Sequence, residues 1–298
     1  MSEKKDPPST ACPLMQRRDF LRITAGAAGL GMAMGVMPKS AAAASAHSGK
    51  TLQVWSCGGL AEGMMPAHAE YEKLRGVTIA YTGAFAAVLG KSLMANGRTE
   101  VFCGRVLELA KNLRKAGRMV RFEPFCFTSY CIVVPPGNPK KIQGLEDLTK
   151  PGVRVAMAPE ASPPGGAAVM GILKLSGLTE KIMPNVVNPG SCVQTIVQSV
   201  LSGTADAMIV EPRVPRLPAF AGKLEEVPIP PEFFPPGPLT FTIGLMQEAH
   251  DADLANDYIA WMTAEEGGQK HMVNAGFTSV GSERGKMLVE KLGVRDAG

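Results

Sequence analysis

The chain is poor in several residue types at once. Of 298 residues two are tryptophan, four tyrosine and four histidine, and only 19% are charged. It has no C-x-x-C, no cysteine–histidine spacing and no glycine-rich nucleotide fingerprint, which argues against an enzyme such as a thiol-dependent oxidoreductase. No basic run is interleaved with aromatics, so nucleic acid is not an expected partner. Past residue 46 no stretch is apolar enough to cross a bilayer, which takes about 20 apolar residues, and no repeat recurs at a solenoid period. What is left is a globular chain, 45% apolar, long enough for two domains of ordinary size.

The first 46 residues read as an address rather than as fold. Arg17 and Arg18 precede a mildly apolar, Gly/Ala-rich stretch over 23–37, then Pro38-Lys39-Ser40 and an alanine tract. A charged, an apolar and a small-residue cleavage region in that order make an export signal, and the paired arginines match the twin-arginine route. The whole chain carries a formal charge of +4; without this segment 25 Lys/Arg face 24 Asp/Glu, a near-neutral mature protein. A periplasmic location is expected. Cys12 would leave with the signal, and the five remaining cysteines (Cys57, Cys103, Cys126, Cys131, Cys192) cannot all pair within one chain. Cys126 and Cys131 fall on one apparent strand, five apart, facing opposite ways.

The organising stretch is 52–65, LQVWSCGGLAEGMM, a strand that runs through Ser56, Cys57, Gly58 and Gly59 into a helix. Such a turn leaves backbone N–H groups and the positive end of a helix dipole aimed at one spot, a seat for an anion. A second strand, 77–82, enters Gly83, Ala84, Phe85 and Ala86, and a third, 100–103, leads into an amphipathic helix. Repeated strand–loop–helix units imply a parallel sheet with right-handed crossovers. The β-rich run 122–134 is long enough to pass from one domain to another. Six prolines within 228–238 make a stiff connector before a returning strand, 239–245. Between these crossings, strand 153–157 with Pro164, Gly165 and Gly166, the helix start at Ser191 and Cys192, and strand 205–210 ending at Glu211 form a second unit. The expected architecture is α/β: lobe I over 47–128 and 239–298, lobe II over 129–238, parallel sheets joined by two crossings that act as a hinge.

This pattern resembles the periplasmic solute-binding proteins of ABC importers, and among them the molybdate/tungstate-binding family. The similarity is carried by 54–60, 83–89, Glu100-Val101-Phe102, 153–157 with Pro164-Gly165, the Gly203-Thr204-Ala205-Asp206-Ala207 turn and Asn274-Ala275-Gly276-Phe277. The resemblance implies two lobes that close on a small oxyanion and deliver it to an inner-membrane permease, with the protein a monomer and no cofactor. It implies a site of hydroxyl and N–H donors plus a tyrosine. This chain departs from it: Glu211 stands at the tyrosine position, and a carboxylate there would repel a dianion unless protonated or paired, with Arg213 the candidate partner.

The expected ligand contacts are Ser56, Cys57, Gly58, Gly59, Gly83, Ala84, Phe85, Ala86, Cys103, Pro164, Gly165, Gly166, Ser191, Cys192 and Glu211. An alternative assigns Cys57, Cys103 and Cys192 to a thiophilic metal or metalloid, for carriage or sensing, since thiols at helix starts have lowered pKa. Against it, free cysteine commonly packs as a small hydrophobe. Arg105 either faces an anion or caps its lobe's surface. His68 is expected on a solvated helix face; His250 and His271 have no partner at metal-ligand spacing.

Overall fold

In the computed structural model the described residues are 46–161 and 165–296; the segment read as an export signal, apart from its last residue, and Pro164 lie outside them. The strands sort into two sheets. The first holds β1 (Thr51–Cys57), β2 (Thr78–Ala84), β3 (Val101–Arg105), β4 (Met119–Phe127), β10 (Thr240–Met246) and β11 (Thr278–Ser279), in the order β11-β4-β10-β3-β1-β2. The second holds β5 (Cys131–Val134), β6 (Val155–Met157), β7 (Val186–Pro189), β8 (Ala207–Val210) and β9 (Glu225–Pro228), in the order β7-β6-β8-β5-β9. Helices α1 (Ala61–Arg75), α2 (Ala86–Ala95), α3 (Leu107–Lys115), α7 (Ala252–Thr263), α8 (Lys270–Asn274) and α9 (Glu283–Leu292) go with the first sheet by sequence order. Helices α4 (Gly165–Leu175), α5 (Thr179–Ile182) and α6 (Val193–Leu201) go with the second.

Alternation along the strands explains the layers. In β3, Val101 and Cys103 enter a core shared with α1, α7 and α8, while Phe102 enters another with α2 and α3. The second sheet is covered in the same way: Ile132 and Ile209 pack with Ile172 and Leu173 of α4, and Val133 and Val210 with Val197 and Val200 of α6. Both faces of each sheet are therefore covered, which is why β3, β5, β8 and β10 are buried along their whole length.

The sheets are mixed rather than parallel. β1 pairs in parallel with β2 and β3, and β6 with β7 and β8. The strands that enter each lobe from a crossing run the other way: β10 is antiparallel to β3 and β4, and β5 to β8 and β9. The reason is topological, since a strand leaving a lobe and the strand returning to it have opposite directions. The run 122–134 is likewise not one strand. It breaks at 128–130, so that Cys126 and Cys131 sit in different sheets. The two crossings lie side by side, with the Thr128 N–H donating to the Leu239 carbonyl at 2.9 Å. The C-terminal stretch 265–274 is divided: a π-turn at Glu265–Gln269, with Gly267 off helical geometry, precedes α8.

His68 is not solvated. It is 3% exposed, its Nε2 lies 2.7 Å from the Tyr258 hydroxyl, and its ring meets Tyr81 edge-on. His271 pairs with Glu70, its Nε2 2.6 Å from Oε2. His68 of α1 packs toward α7, and His271 of α8 reaches back to Glu70 of α1, a packing that local sequence does not show.

Candidate functional site

In the first sheet β1, β2 and β3 run the same way and end at Cys57, Ala84 and Arg105. In the second, β6, β7 and β8 share a direction and end at Met157, Pro189 and Val210, just before Glu211. Carboxyl ends of parallel strands are where α/β sheets present ligand-binding loops. A pair of residues brings the two edges together: Arg105 Nη2 donates to Glu211 Oε1 at 2.5 Å.

That contact belongs to a network of four charged side chains. Arg213 Nε donates to Glu211 Oε2 at 2.7 Å, and Arg213 Nη1 donates to Glu62 Oε1 at 3.0 Å. Arg105 and Glu62 belong to the first lobe, Glu211 and Arg213 to the second, so two ion pairs cross the junction. Arg105 is held further by Nε donating to the Pro238 carbonyl at 2.9 Å and Nη2 to the Tyr130 hydroxyl at 3.2 Å, one from each crossing segment. Its guanidinium also lies over the Phe241 ring, 5.2 Å from the centroid.

Burial would raise the Glu211 pKa, but the charges of Arg105 and Arg213 win and hold it at about 2. Glu211 is therefore an ionised carboxylate at 7% exposure, stable there only because both oxygens are paired. Local backbone is strained beside it. Val106, immediately after Arg105, sits at φ +73°, a region that a β-branched residue seldom enters. The Val106 N–H is tied to the Thr240 carbonyl at 2.9 Å, which fixes the turn that aims Arg105.

The first loop sits against this network. Gly58–Leu60 is a single 3₁₀ turn without a side-chain cap, and a Cβ on Gly59 would stand 3.6 Å from Arg213 Nε. Ser56 is fully buried, with its Oγ 2.6 Å from the Tyr81 hydroxyl. Gly83 and Ala84 lie opposite Ser56 and Cys57 in the β1–β2 register; Phe85 is half exposed at the N-cap of α2, and Ala86 is buried as its first residue. Gly276, at φ +96°, ends the turn after α8 and closes on the second lobe. A Cβ there would come within 2.9 Å of the Pro212 carbonyl carbon.

In the second lobe Gly165 and Gly166 open α4, and Gly166 is pressed against the Pro159 carbonyl. Ser191 is exposed ahead of α6, and Cys192 is its N-cap.

The thiol arrangement differs from the soft-metal expectation. Cys103 lies inside β3, opposite Ser56, completely buried in the first lobe's core. Burial raises the Cys57 thiol pKa, outweighing a Gly59 N–H directed at it and the nearby Arg105, so it is not an activated thiolate. Among the described residues no group of three or more His, Cys, Asp or Glu side chains could hold a metal ion.

Three participants were not among the expected contacts: Glu62, Tyr81 and Tyr130. Their only signal in the sequence is scarcity, four tyrosines in 298 residues, and for Glu62 its place one turn past Gly58-Gly59. Arg105 does not cap its lobe's surface: it is buried and pairs with Glu211 across the junction.

Two mixed α/β lobes, connected by paired crossings and meeting at their strand ends, define a two-lobe periplasmic-binding architecture. The chain belongs to the bacterial extracellular solute-binding protein family, whose model matches residues 52–278. It is 26% identical over 203 residues to the molybdate-binding protein ModA of Mycobacterium tuberculosis, covering 64% of this chain and 70% of that protein. Among solved structures, a substrate-binding domain from Clostridium difficile, assigned to a molybdenum ABC transporter, superposes with TM-score 0.69 at 19% identity, covering 78% of this chain and 99% of that one. The periplasmic molybdate-binding protein of Azotobacter vinelandii gives 0.61 at 16%, covering 76% and 98%. At these identities the structural likeness is one of fold.

Proposed function

We propose that this protein is exported by the twin-arginine route to the periplasm, captures a molybdate- or tungstate-like oxyanion between its lobes as a monomer, and hands it to an ABC permease of the inner membrane. The observation that carries the reading is the pair of guanidiniums, buried Arg105 from one lobe and half-buried Arg213 from the other, converging at the strand ends. Guanidinium forks match pairs of oxyanion oxygens, and a ligand gripped from both lobes favours the closed form. Backbone N–H groups of Cys57, Gly58 and Gly59, of the loop 83–86, of Gly165-Gly166 and of Ser191-Cys192 supply further donors on the same edges. The relatedness to ModA proteins supports the choice of solute.

The test is a melting and calorimetric titration of the mature chain with molybdate, tungstate, sulfate and phosphate. A ligand bound only by the folded protein at about 100 times its Kd adds about 2.7 kcal/mol of stability, a readily measured rise in Tm. Molybdate and tungstate should give that rise. Flat responses to all four anions would remove the reading.

A further inference from the structure

The charges at the junction are already balanced: two guanidiniums face two carboxylates. A dianion added to this set would leave a buried excess of two negative charges, which a low-dielectric site does not tolerate. Something has to move when an oxyanion enters.

We propose, resting on the oxyanion reading above, that the Glu211 carboxylate is an internal anion seated where the solute binds, and that it sets which anions the cleft accepts because an incoming anion must take its place between Arg105 and Arg213.

The geometry is that of a bound ligand. One carboxylate oxygen takes Arg105 from the first lobe and the other takes Arg213 from the second, at 2.5 and 2.7 Å. A bridging carboxylate of this kind ties the lobes as a captured oxyanion would. The seat is built independently of Glu211. Arg105 is fixed by Pro238, Tyr130 and the Phe241 face, and Arg213 by Glu62, so both donors stay in place when the carboxylate leaves. Glu211 follows β8 directly and precedes Pro212, whose neighbour Arg213 lies with its side chain against Gly59 and its backbone N near Gly276.

Two consequences follow. Monoanions compete poorly, because they must displace an ionised carboxylate of equal charge that is already tethered; dianions gain from their second charge. The cleft is also held shut before any solute arrives.

The experiment compares the wild-type mature chain with Glu211→Gln, which keeps the shape and removes the charge. Molybdate and formate are titrated into each by calorimetry. The Gln variant is expected to bind molybdate about tenfold tighter or better and to gain measurable formate binding. Wild-type binding of molybdate as tight as, or tighter than, that of the variant overturns the internal-anion idea and leaves the oxyanion reading intact. Absence of molybdate binding by both proteins overturns both. Should the variant not fold, small-angle scattering of the wild type decides. Its radius of gyration is expected to stay the same on adding saturating molybdate, and compaction overturns the proposal.

Discussion

Arg213 reaches from the end of β8 to Glu62 on α1, with Nη1 and Oε1 3.0 Å apart, and so joins one lobe to the other. Both side chains keep about a fifth to a quarter of their surface in solvent, so screening limits what this pair contributes. Glu62→Gln should therefore cost about 1 kcal/mol in urea denaturation, against several for loss of the buried Arg105. A Glu62→Gln protein with an unchanged midpoint would show that the tie to α1 is geometric only.

Acid should unfold the protein in two windows. Burial lowers the His68 pKa from 6.5 to about 4, so the unfolded state binds a proton that the folded state refuses. Stability is accordingly lost as pH falls from about 6.5 to about 4. Glu211 has a folded value of about 2, below its ordinary 4.5, so its contribution is complete above 4.5 and drains away as pH falls toward 2. Melting temperature measured against pH should flatten in the upper window for His68→Phe and in the lower one for Glu211→Gln. An unchanged curve in either variant removes that assignment.

The thiols should be silent in the native state. Among the described residues Cys57, Cys103, Cys126 and Cys131 are free and buried, and burial raises the pKa of each. Iodoacetamide labelling read by peptide mass spectrometry should leave these four unmodified until guanidinium is added. Fast native labelling of Cys57 would reopen a thiol chemistry at the junction.

The Gly203-Thr204-Ala205-Asp206-Ala207 turn ties the start of β8 to the start of β6. Asp206 accepts from the Arg154 backbone N–H at 2.8 Å and from Arg154 Nη2 at 2.7 Å, which pins β8 beside β6. Asp206→Ala should lower stability by about 2 kcal/mol with molybdate affinity unchanged. A change in affinity as large as the change in stability would contradict this.

Much of the fold was legible because it is written locally. The strand that runs through Ser56-Cys57-Gly58-Gly59 into a helix, the amphipathic helix after 100–103 and the proline-rich connector over 228–238 each declare themselves in a few neighbouring residues. The mixed sheet order does not, since strand direction is fixed by which lobe a segment enters and leaves. In the sequence Glu211 is a carboxylate in need of a partner and Arg213, two residues on, is within local reach; the structure pairs them. Arg105, 106 residues away, could be assigned only once both sheets had folded.

The sequence by itself determined that this chain builds two α/β lobes with small-residue loops at its strand ends, because hydrophobic period and turn chemistry act over a few neighbouring residues. Only the tertiary structure decided that the junction holds a chain of ion pairs from Arg105 through Glu211 and Arg213 to Glu62 and that Cys57, Cys103, Cys126 and Cys131 stay in the cores. Burial and long-range charge pairing depend on which surfaces meet, and no local pattern encodes that.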